Sequence, residues 1–304
     1  MISFIKLKIM EGFSLKMILG KSLIIVLTLV LLGFGTNLNA QNKVLIIGID
    51  GVRPDCLIKA KTPNLDKLWQ NGAYSFSAKT DPISSSGICW TAMLTGVWHE
   101  KHNVLDNEYT NPNIAEYPHF YHRVKQQKPG LKLFSVVNWS PIHKILQEGD
   151  ADIVNYLLTD DKVTDRVTDL LQNDNPDAMF VQLDEVDHAG HEFVYSVNSE
   201  KYLAAIEKAD TLVGKMISAI QNRKNHTSEN WLVLVSTDHG GSEKGHGKDI
   251  PEHTTIFYIA NGKSIKKGEL KSQINVVDVA VTAMKHLGID IKENWKLDGK
   301  VAGL

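Results

Sequence analysis

The sequence is poor in cysteine and carries no excess of basic charge. Only two cysteines, Cys56 and Cys89, occur in 304 residues, so we expect no disulfide framework. Lysine and arginine together number 33, against 35 acidic residues. A general nucleic-acid-binding protein needs a basic face, so we expect no stable complex with nucleic acid. The sequence also lacks internal repeats and low-complexity tracts, which argues against a repeat architecture.

Long apolar runs are absent too, apart from SLIIVLTLVLLGFG (22–35). This run is short for a membrane span. Four lysines precede it and the small and polar residues NLNAQN follow it. These features predict a signal peptide over residues 1–40, cleaved after Ala40, with an uncleaved N-terminal anchor as the alternative. We therefore expect an exported protein, periplasmic or secreted, whose residues 41–304 form one domain without a membrane span.

Short apolar, β-branched runs recur along the rest of the chain and predict buried strands. They do not alternate between apolar and polar residues, so both faces of each strand are expected to be covered. Helical patterns separate them, which predicts an α/β fold with a doubly wound, mostly parallel sheet flanked by helices. The predicted strands are 43–49, 132–137, 178–183, 231–236 and 255–260, and the predicted helices are 62–72, 198–222 and 275–289. The stretch 97–128 has no clear periodicity and is predicted to be a long loop beside the site.

Acidic and imidazole side chains follow three of these strands. Asp50 directly follows the first, Asp238 and His239 follow the fourth, and DEVDHAGH (184–191) follows the third. The carboxyl ends of parallel strands open at one edge of a sheet, so these side chains are expected to converge. Divalent cations would remove the repulsion between such carboxylates. Carboxylate and imidazole ligands suit zinc, with manganese and iron as the less favoured alternatives.

Each of these residues has a simpler interpretation when it is taken alone. An aspartate after a strand commonly caps the following helix, which would explain Asp50. His239 could be an ordinary loop histidine, and DEVDHAGH could be a solvated turn. Their joint occurrence at successive strand ends favours the metal site.

A candidate nucleophile lies in SSSGICWTAMLTG (84–96), where three serines precede a helix-like stretch. A serine at a helix N-terminus lies where backbone N–H groups and the helix dipole favour an anion such as phosphate. An ordinary serine N-cap is the alternative.

In this order and spacing, the motifs resemble those of the alkaline phosphatase superfamily, and within it the nucleotide pyrophosphatase/phosphodiesterase branch. The resemblance extends over nearly all of the chain after residue 40. It implies a three-layer α/β/α catalytic domain with two divalent metal ions that hydrolyses phosphoesters through a phosphoserine. The motifs are IDGVRPD (49–55), TPNLDKLWQNGA (62–73), SGICWTAMLTGVWHEKHNVLDN (86–107), LDEVDHAGHEF (183–193) and TDHGGSEKGHG (237–247).

The resemblance also implies roles for individual residues. Ser86, nine residues before Thr95, takes the position of the nucleophile, and Asn107 that of the amide that binds a non-bridging phosphoryl oxygen. The implied ligands are Asp50, Ser86, Asp238 and His239 for one ion, and Asp187, His191 and His246 for the other. Asp184 with His188 is the rival to Asp187 with His191, and His253 is the rival to His246.

The expected substrate is a small phosphodiester, either a nucleotide or a lipid-headgroup diester. Monoesterases of this superfamily tend to add arginine or lysine, and the stretch 135–146 offers only Lys144. Trp90, Tyr109 and Tyr121 are candidates for contacting the second substituent of the diester, with core packing as the alternative. A phosphomonoesterase or a phosphonate hydrolase remains the alternative activity. The chain has no C-x-P-S-R sequence, so the oxidised-cysteine chemistry of sulfatases is not expected.

Overall fold

The computed structural model describes residues 40–304, so the predicted signal peptide lies, apart from Ala40, outside the described residues. Eight of the described strands form one sheet in the order β4-β3-β5-β1-β6-β7-β2-β8. The strands are β1 (Gln41–Ile49), β2 (Ala73–Lys79), β3 (Leu133–Val137), β4 (Ile153–Tyr156), β5 (Ala178–Leu183), β6 (Glu229–Ser236), β7 (Thr255–Gly262) and β8 (Gly268–Glu269).

Helices cover both faces of this sheet. The α-helices are α1 (Pro54–Lys59), α2 (Pro63–Gln70), α3 (Ser86–Thr95), α4 (His99–His102), α5 (Phe120–Gln127), α6 (Asp160–Asn173), α7 (Glu185–Phe193), α8 (Glu200–Gln221), α9 (Pro251–Thr254) and α10 (Asp278–His286). Within residues 40–304, no helix combines the length and apolar character that a bilayer crossing requires.

The two faces of the sheet bury separate apolar clusters. Along β1, Val44 and Ile46 pack into the cluster that includes residues of α3, α5 and α10. Leu45 and Ile47 point the other way, into the cluster formed with α1, α2, α6 and α8. Both faces of β1 are therefore buried, which explains its unbroken apolar sequence. The predicted three-layer α/β/α fold is confirmed.

The centre of the sheet is parallel. β1 pairs in parallel with β5 on one side and with β6 on the other, so that Gly48 lies opposite both Gln182 and Ser236. The carboxyl ends of these three strands therefore meet at one edge. β7 is antiparallel to both β6 and β2, which makes the sheet mixed on that side.

Several elements differ from the sequence prediction. The prediction of a loop over 97–128 is wrong in part, because α4 and α5 lie within it. The side chain of His119 caps α5 by accepting a hydrogen bond from the backbone N of Tyr121. DEVDHAGH lies mostly within α7 and does not form a solvated turn. Strands β2, β4 and β8 and helix α6 were not predicted from the sequence.

Candidate metal centre

The acidic and imidazole side chains that follow the three central strands converge. Asp50 is the first residue after β1, and Asp238 and His239 follow β6 within three residues. Asp187 lies in the first turn of α7, which begins two residues after β5. Because β1 lies between β5 and β6, all four side chains share one edge of the sheet.

Asp50, Asp238 and His239 form a first cluster, in which one possible ligand atom of each residue lies within 4.8 Å of the others. All three are buried. His239 Nε2 is 3.2 Å from Asp238 Oδ2, 3.6 Å from Asp50 Oδ1 and 3.2 Å from the hydroxyl of Ser86. Two ligands that each lie about 2 Å from a tetrahedral zinc ion are about 3.3 Å apart, so these separations fit a shared ion.

Two carboxylate oxygens of this cluster are buried without a hydrogen-bond partner among the described residues: Oδ1 of Asp50 and Oδ2 of Asp238. The other oxygen of each group is satisfied. Asp50 Oδ2 accepts hydrogen bonds from Trp90 at 2.9 Å and Gln182 at 3.2 Å, and Asp238 Oδ1 accepts from the backbone N of Gly51 at 3.2 Å. Unpaired buried oxygens are costly, and a cation would satisfy both.

The ionisation of these carboxylates supports the same conclusion. Burial, together with the negative charges of Asp238 and Asp187, raises the pKa of Asp50 well above its ordinary value. Burial, followed by the charge of Asp187, raises the pKa of Asp238 to about 8. Without a cation this edge of the sheet therefore retains protons, and a bound divalent ion would replace them.

Asp187, His239 and His246 form a second cluster, again with ligand atoms within 4.8 Å of one another. His191 joins it through Asp187, whose Oδ2 is 3.2 Å from His191 Nε2. His246 Nε2 is 4.0 Å from Asp187 Oδ1, and the rings of His239 and His246 stack with centroids 3.8 Å apart. His239 therefore links the two clusters.

The three histidines are held in the same orientation. In each, Nδ1 faces a backbone carbonyl oxygen, which can only accept: Gly240 for His239, Lys244 for His191 and Ser84 for His246, at 2.8 to 3.0 Å. In the neutral imidazole the proton must then lie on Nδ1, which leaves Nε2 free to bind a metal ion.

Ser86 and Asn107 lie beside the first cluster. Ser86 is the first residue of α3, and its hydroxyl faces His239. Asn107 Oδ1 accepts a hydrogen bond from the backbone N of Gly87 at 2.8 Å, which leaves its amide NH₂ as a donor. A Cβ at Gly87 would lie 2.7 Å from the carbonyl oxygen of Asp106, so glycine allows this loop to contact the helix start.

Sequence comparison places this arrangement in a known family. The family described as type I phosphodiesterase / nucleotide pyrophosphatase matches residues 44–252. The chain belongs to this family. The matched segment includes every residue of the two clusters, together with Ser86 and Asn107. The phosphodiesterase family is metal-dependent, and the two clusters are possible metal-binding groups.

Individual relatives are distant. GPI ethanolamine phosphate transferase 2, catalytic subunit, from Homo sapiens is 24% identical over 268 residues, which are 83% of this chain and 27% of that protein. Ectonucleotide pyrophosphatase/phosphodiesterase family member 7 from Rattus norvegicus is 22% identical over 227 residues, 66% of this chain and 50% of the relative. The chain thus matches about a quarter to a half of the length of these two relatives.

A solved structure shares the fold. Murine ectonucleotide pyrophosphatase/phosphodiesterase 5, solved as an inactive threonine-to-alanine variant in complex with AMP, has a TM-score of 0.66 and 13% sequence identity. The similarity covers 87% of this chain and 98% of that one. It supports the assignment of an alkaline phosphatase-like α/β fold to this phosphodiesterase family member.

The rival ligands are already engaged by other groups. Asp184 and His188 pair with each other at 2.9 Å, and the other oxygen of Asp184 accepts a hydrogen bond from Gln182. Both ring nitrogens of His253 are engaged, one by Ser242 and the other by the backbone N of Lys248. These contacts favour Asp187, His191 and His246 as the ligands.

The predicted aromatic contacts to substrate do not fit the structure. Trp90 and Tyr121 are 0% exposed, and Tyr109 is 6% exposed. The Tyr121 hydroxyl donates to the carbonyl oxygen of Phe134 at 2.6 Å, inside the core. The sequence suggested aromatic side chains near the site, but their burial makes them part of the scaffold.

Two residues that hold Asp50 in place were not recognised from the sequence. The sequence predicts for Trp90 only a substrate contact or a place in the core, yet its indole donates to Asp50. Gln182 donates to both Asp50 and Asp184, while its Oε1 accepts from the backbone N of Trp139 at 2.8 Å. In the sequence, the indication that Gln182 has a role at the site is that it is a polar residue within the apolar strand AMFVQL.

Proposed function

We propose that the protein is an exported phosphodiesterase that uses Ser86 as its nucleophile and holds two divalent ions, zinc in preference to manganese. One ion would be bound by Asp50, Ser86, Asp238 and His239, and the other by Asp187, His191 and His246. The observation that carries the proposal is the pair of unpartnered buried oxygens on Asp50 and Asp238, which face the ring of His239 beside a serine hydroxyl.

The chain's own residues supply the remaining chemistry. When bound, divalent ions lower the pKa of a coordinated hydroxyl and neutralise charge on phosphoryl oxygens. Ser86 Oγ, having lost its proton, bonds to phosphorus while the P–O bond to one alcohol breaks; that alcohol leaves with a proton from solvent, and the phosphoserine keeps the second substituent. Water then hydrolyses the phosphoserine and restores the hydroxyl. Asn107 is fixed through its Oδ1, so its NH₂ donates to a non-bridging oxygen.

A diester fits the charge around Ser86 better than a monoester. Acidic residues, Asp106 and Glu108, flank Asn107 in the sequence. Lys144, the candidate for meeting an extra phosphate charge, donates to the carbonyl oxygen of Glu108 at 3.2 Å, and its ammonium lies 5.5 Å from the ring centre of Tyr109. The carboxylates that flank Asn107 would disfavour the additional negative charge of a monoester, and a diester carries one negative charge less.

The test compares two chromogenic substrates on the zinc-loaded protein. We expect faster hydrolysis of bis-p-nitrophenyl phosphate than of p-nitrophenyl phosphate. Ser86→Ala should abolish turnover while both ions stay bound. If the monoester is the better substrate, the phosphomonoesterase alternative is correct. Full activity of Ser86→Ala would overturn the assignment of the nucleophile.

A further inference from the structure

Tyr195 lies just beyond α7 and reaches back to the second cluster. Its phenol donates a hydrogen bond to Oδ1 of Asp187, and it is also 3.2 Å from the carbonyl oxygen of the same residue. The ring meets those of His191 and His246 edge-on, with centroids 5.5 Å and 6.5 Å away. This buried side chain therefore contacts Asp187 directly and packs beside two of the proposed ligand histidines.

Two motif glycines make room for this ring. A Cβ at Gly190, in α7, would lie 2.2 Å from the Tyr195 ring, and one at Gly241, after β6, would lie 2.7 Å from it. Real Cβ atoms do not approach other atoms so closely, so any larger residue at either position would displace the ring. On the other side, a Cβ at Gly51 would lie 2.5 Å from Asp187 Oδ1. Asp187 is thus enclosed between the loop after β1 and the phenol.

The backbone of Tyr195 is fixed as well. Its N–H donates to the carbonyl oxygen of Glu243 at 2.8 Å, and its own carbonyl oxygen accepts from Arg53 at 3.1 Å. The preceding residue, Val194, has a φ of 82°. A β-branched residue in that region is strained, and such strain persists only where the surroundings enforce it.

We propose that Tyr195 is a positioning residue that fixes the carboxylate of Asp187 for metal binding. This inference rests on the proposed function, since it takes Asp187 to be a metal ligand. A carboxylate on a short side chain can rotate, and a donor to one of its oxygens sets the direction of the other. The phenol holds Oδ1, which directs Oδ2 towards His191.

The test removes one hydroxyl and keeps the ring. Tyr195→Phe retains the packing against both glycines and loses only the donor to Asp187. The matched control is Tyr258→Phe, because Tyr258 is equally buried and its hydroxyl donates to the carbonyl oxygen of Ala302 at 3.1 Å. Zinc stoichiometry and affinity are measured by chelator competition on each purified full-length protein. The melting temperature of the metal-free form reports on folding.

We expect Tyr195→Phe to bind one of two zinc equivalents about 10- to 100-fold more weakly than the wild type, the range found for residues that orient metal ligands. Tyr258→Phe should bind both equivalents as the wild type does. In cobalt-substituted protein, the visible absorption of one site should change only in Tyr195→Phe.

The possible outcomes separate the two proposals. Unchanged zinc affinity in Tyr195→Phe would overturn the positioning role and leave the proposed function intact. A wild type that binds no zinc would refute the proposed function and the positioning role with it. If Tyr195→Phe melts too low to assay, Gly190→Ala, which displaces the ring but keeps the hydroxyl, should show the same selective loss, and unchanged affinity there would contradict the inference.

Discussion

Trp90 Nε1 donates a 2.9 Å hydrogen bond to Oδ2 of Asp50, so the indole fixes the carboxylate whose other oxygen is buried and unpartnered. The contact depends on Gly48, where a Cβ would lie 2.4 Å from the indole ring. A side chain that looks like ordinary core therefore sets the geometry of a proposed ligand. The same arrangement recurs at Asp187, with Tyr195 as the donor.

Trp90→Phe should weaken metal binding, because it removes the donor and leaves Asp50 freer to rotate. We expect a loss in zinc affinity of about 10- to 100-fold. The matched control is Trp231→Phe, which removes an indole hydrogen bond to Glu229 at the opposite end of the sheet. Equal zinc affinity in Trp90→Phe and wild type would show that the indole only packs.

Zinc binding should release protons at pH 7.5. The hydrogen bond to Asp187 raises the pKa of His191 to about 9, and burial raises that of Asp238 to about 8. Both groups are therefore largely protonated before the metal binds, and the apparent zinc affinity should rise with pH up to about 9. Calorimetry in HEPES and in Tris gives the number of protons released. His191→Gln should lower it, and His188→Gln, outside the clusters, should not.

Gly190→Ala should destabilise the metal-free protein by about 1–3 kcal/mol, because the new methyl group overlaps the buried ring of Tyr195. Gly130→Ala is the control, since a Cβ there meets no atom within 4 Å. Denaturant unfolding measures both variants. Similar stability in the two would mean that the ring moves aside without cost.

The sequence predicts the central strands, the helices α2, α3, α8 and α10 and a clustering of charged groups at strand ends. The runs at β1, β5 and β6 are apolar on both faces, which is typical of a parallel core. The sequence does not predict strands β2, β4 and β8. These strands are short or lie near the edges of the sheet, and their residues are only partly buried, so their apolar pattern is weak. Helix α5 begins at a histidine cap, and histidine is not among the usual N-cap residues.

The residues around the candidate site were harder to predict than the proposed ligands. Asp50, Asp238 and His239 follow strands directly, so topology alone brings them together. Trp90, Gln182 and Tyr195 reach the cluster only through side-chain packing, which depends on where glycines leave room. The spacing of residues along the sequence does not predict that the Trp90 indole packs against Gly48 or that the Tyr195 ring packs against Gly190.

Stability below neutral pH should depend on His119. Burial, followed by the charge of His143, lowers the pKa of His119 to about 3, against an ordinary value of 6.5. The contribution of neutral, buried His119 to the free energy of unfolding is fully present above pH 6.5. It is lost as the pH falls towards 3, because the histidine takes up a proton in the unfolded chain before it does so in the folded protein. His119→Asn keeps an N-cap acceptor and does not titrate. Between pH 6.5 and 5, the unfolding free energy of the wild type should fall more steeply than that of His119→Asn, by up to about 1.4 kcal/mol per pH unit. Equal slopes of unfolding free energy against pH in the wild type and His119→Asn would contradict this role of His119.

The most direct test of the central claim is anomalous diffraction at the zinc edge from crystals of the zinc-loaded protein. Two peaks are expected, one between Asp50, Asp238 and His239 beside Ser86, and one between Asp187, His191 and His246. An empty sheet edge, or a single ion bound by Asp184 and His188, would contradict it.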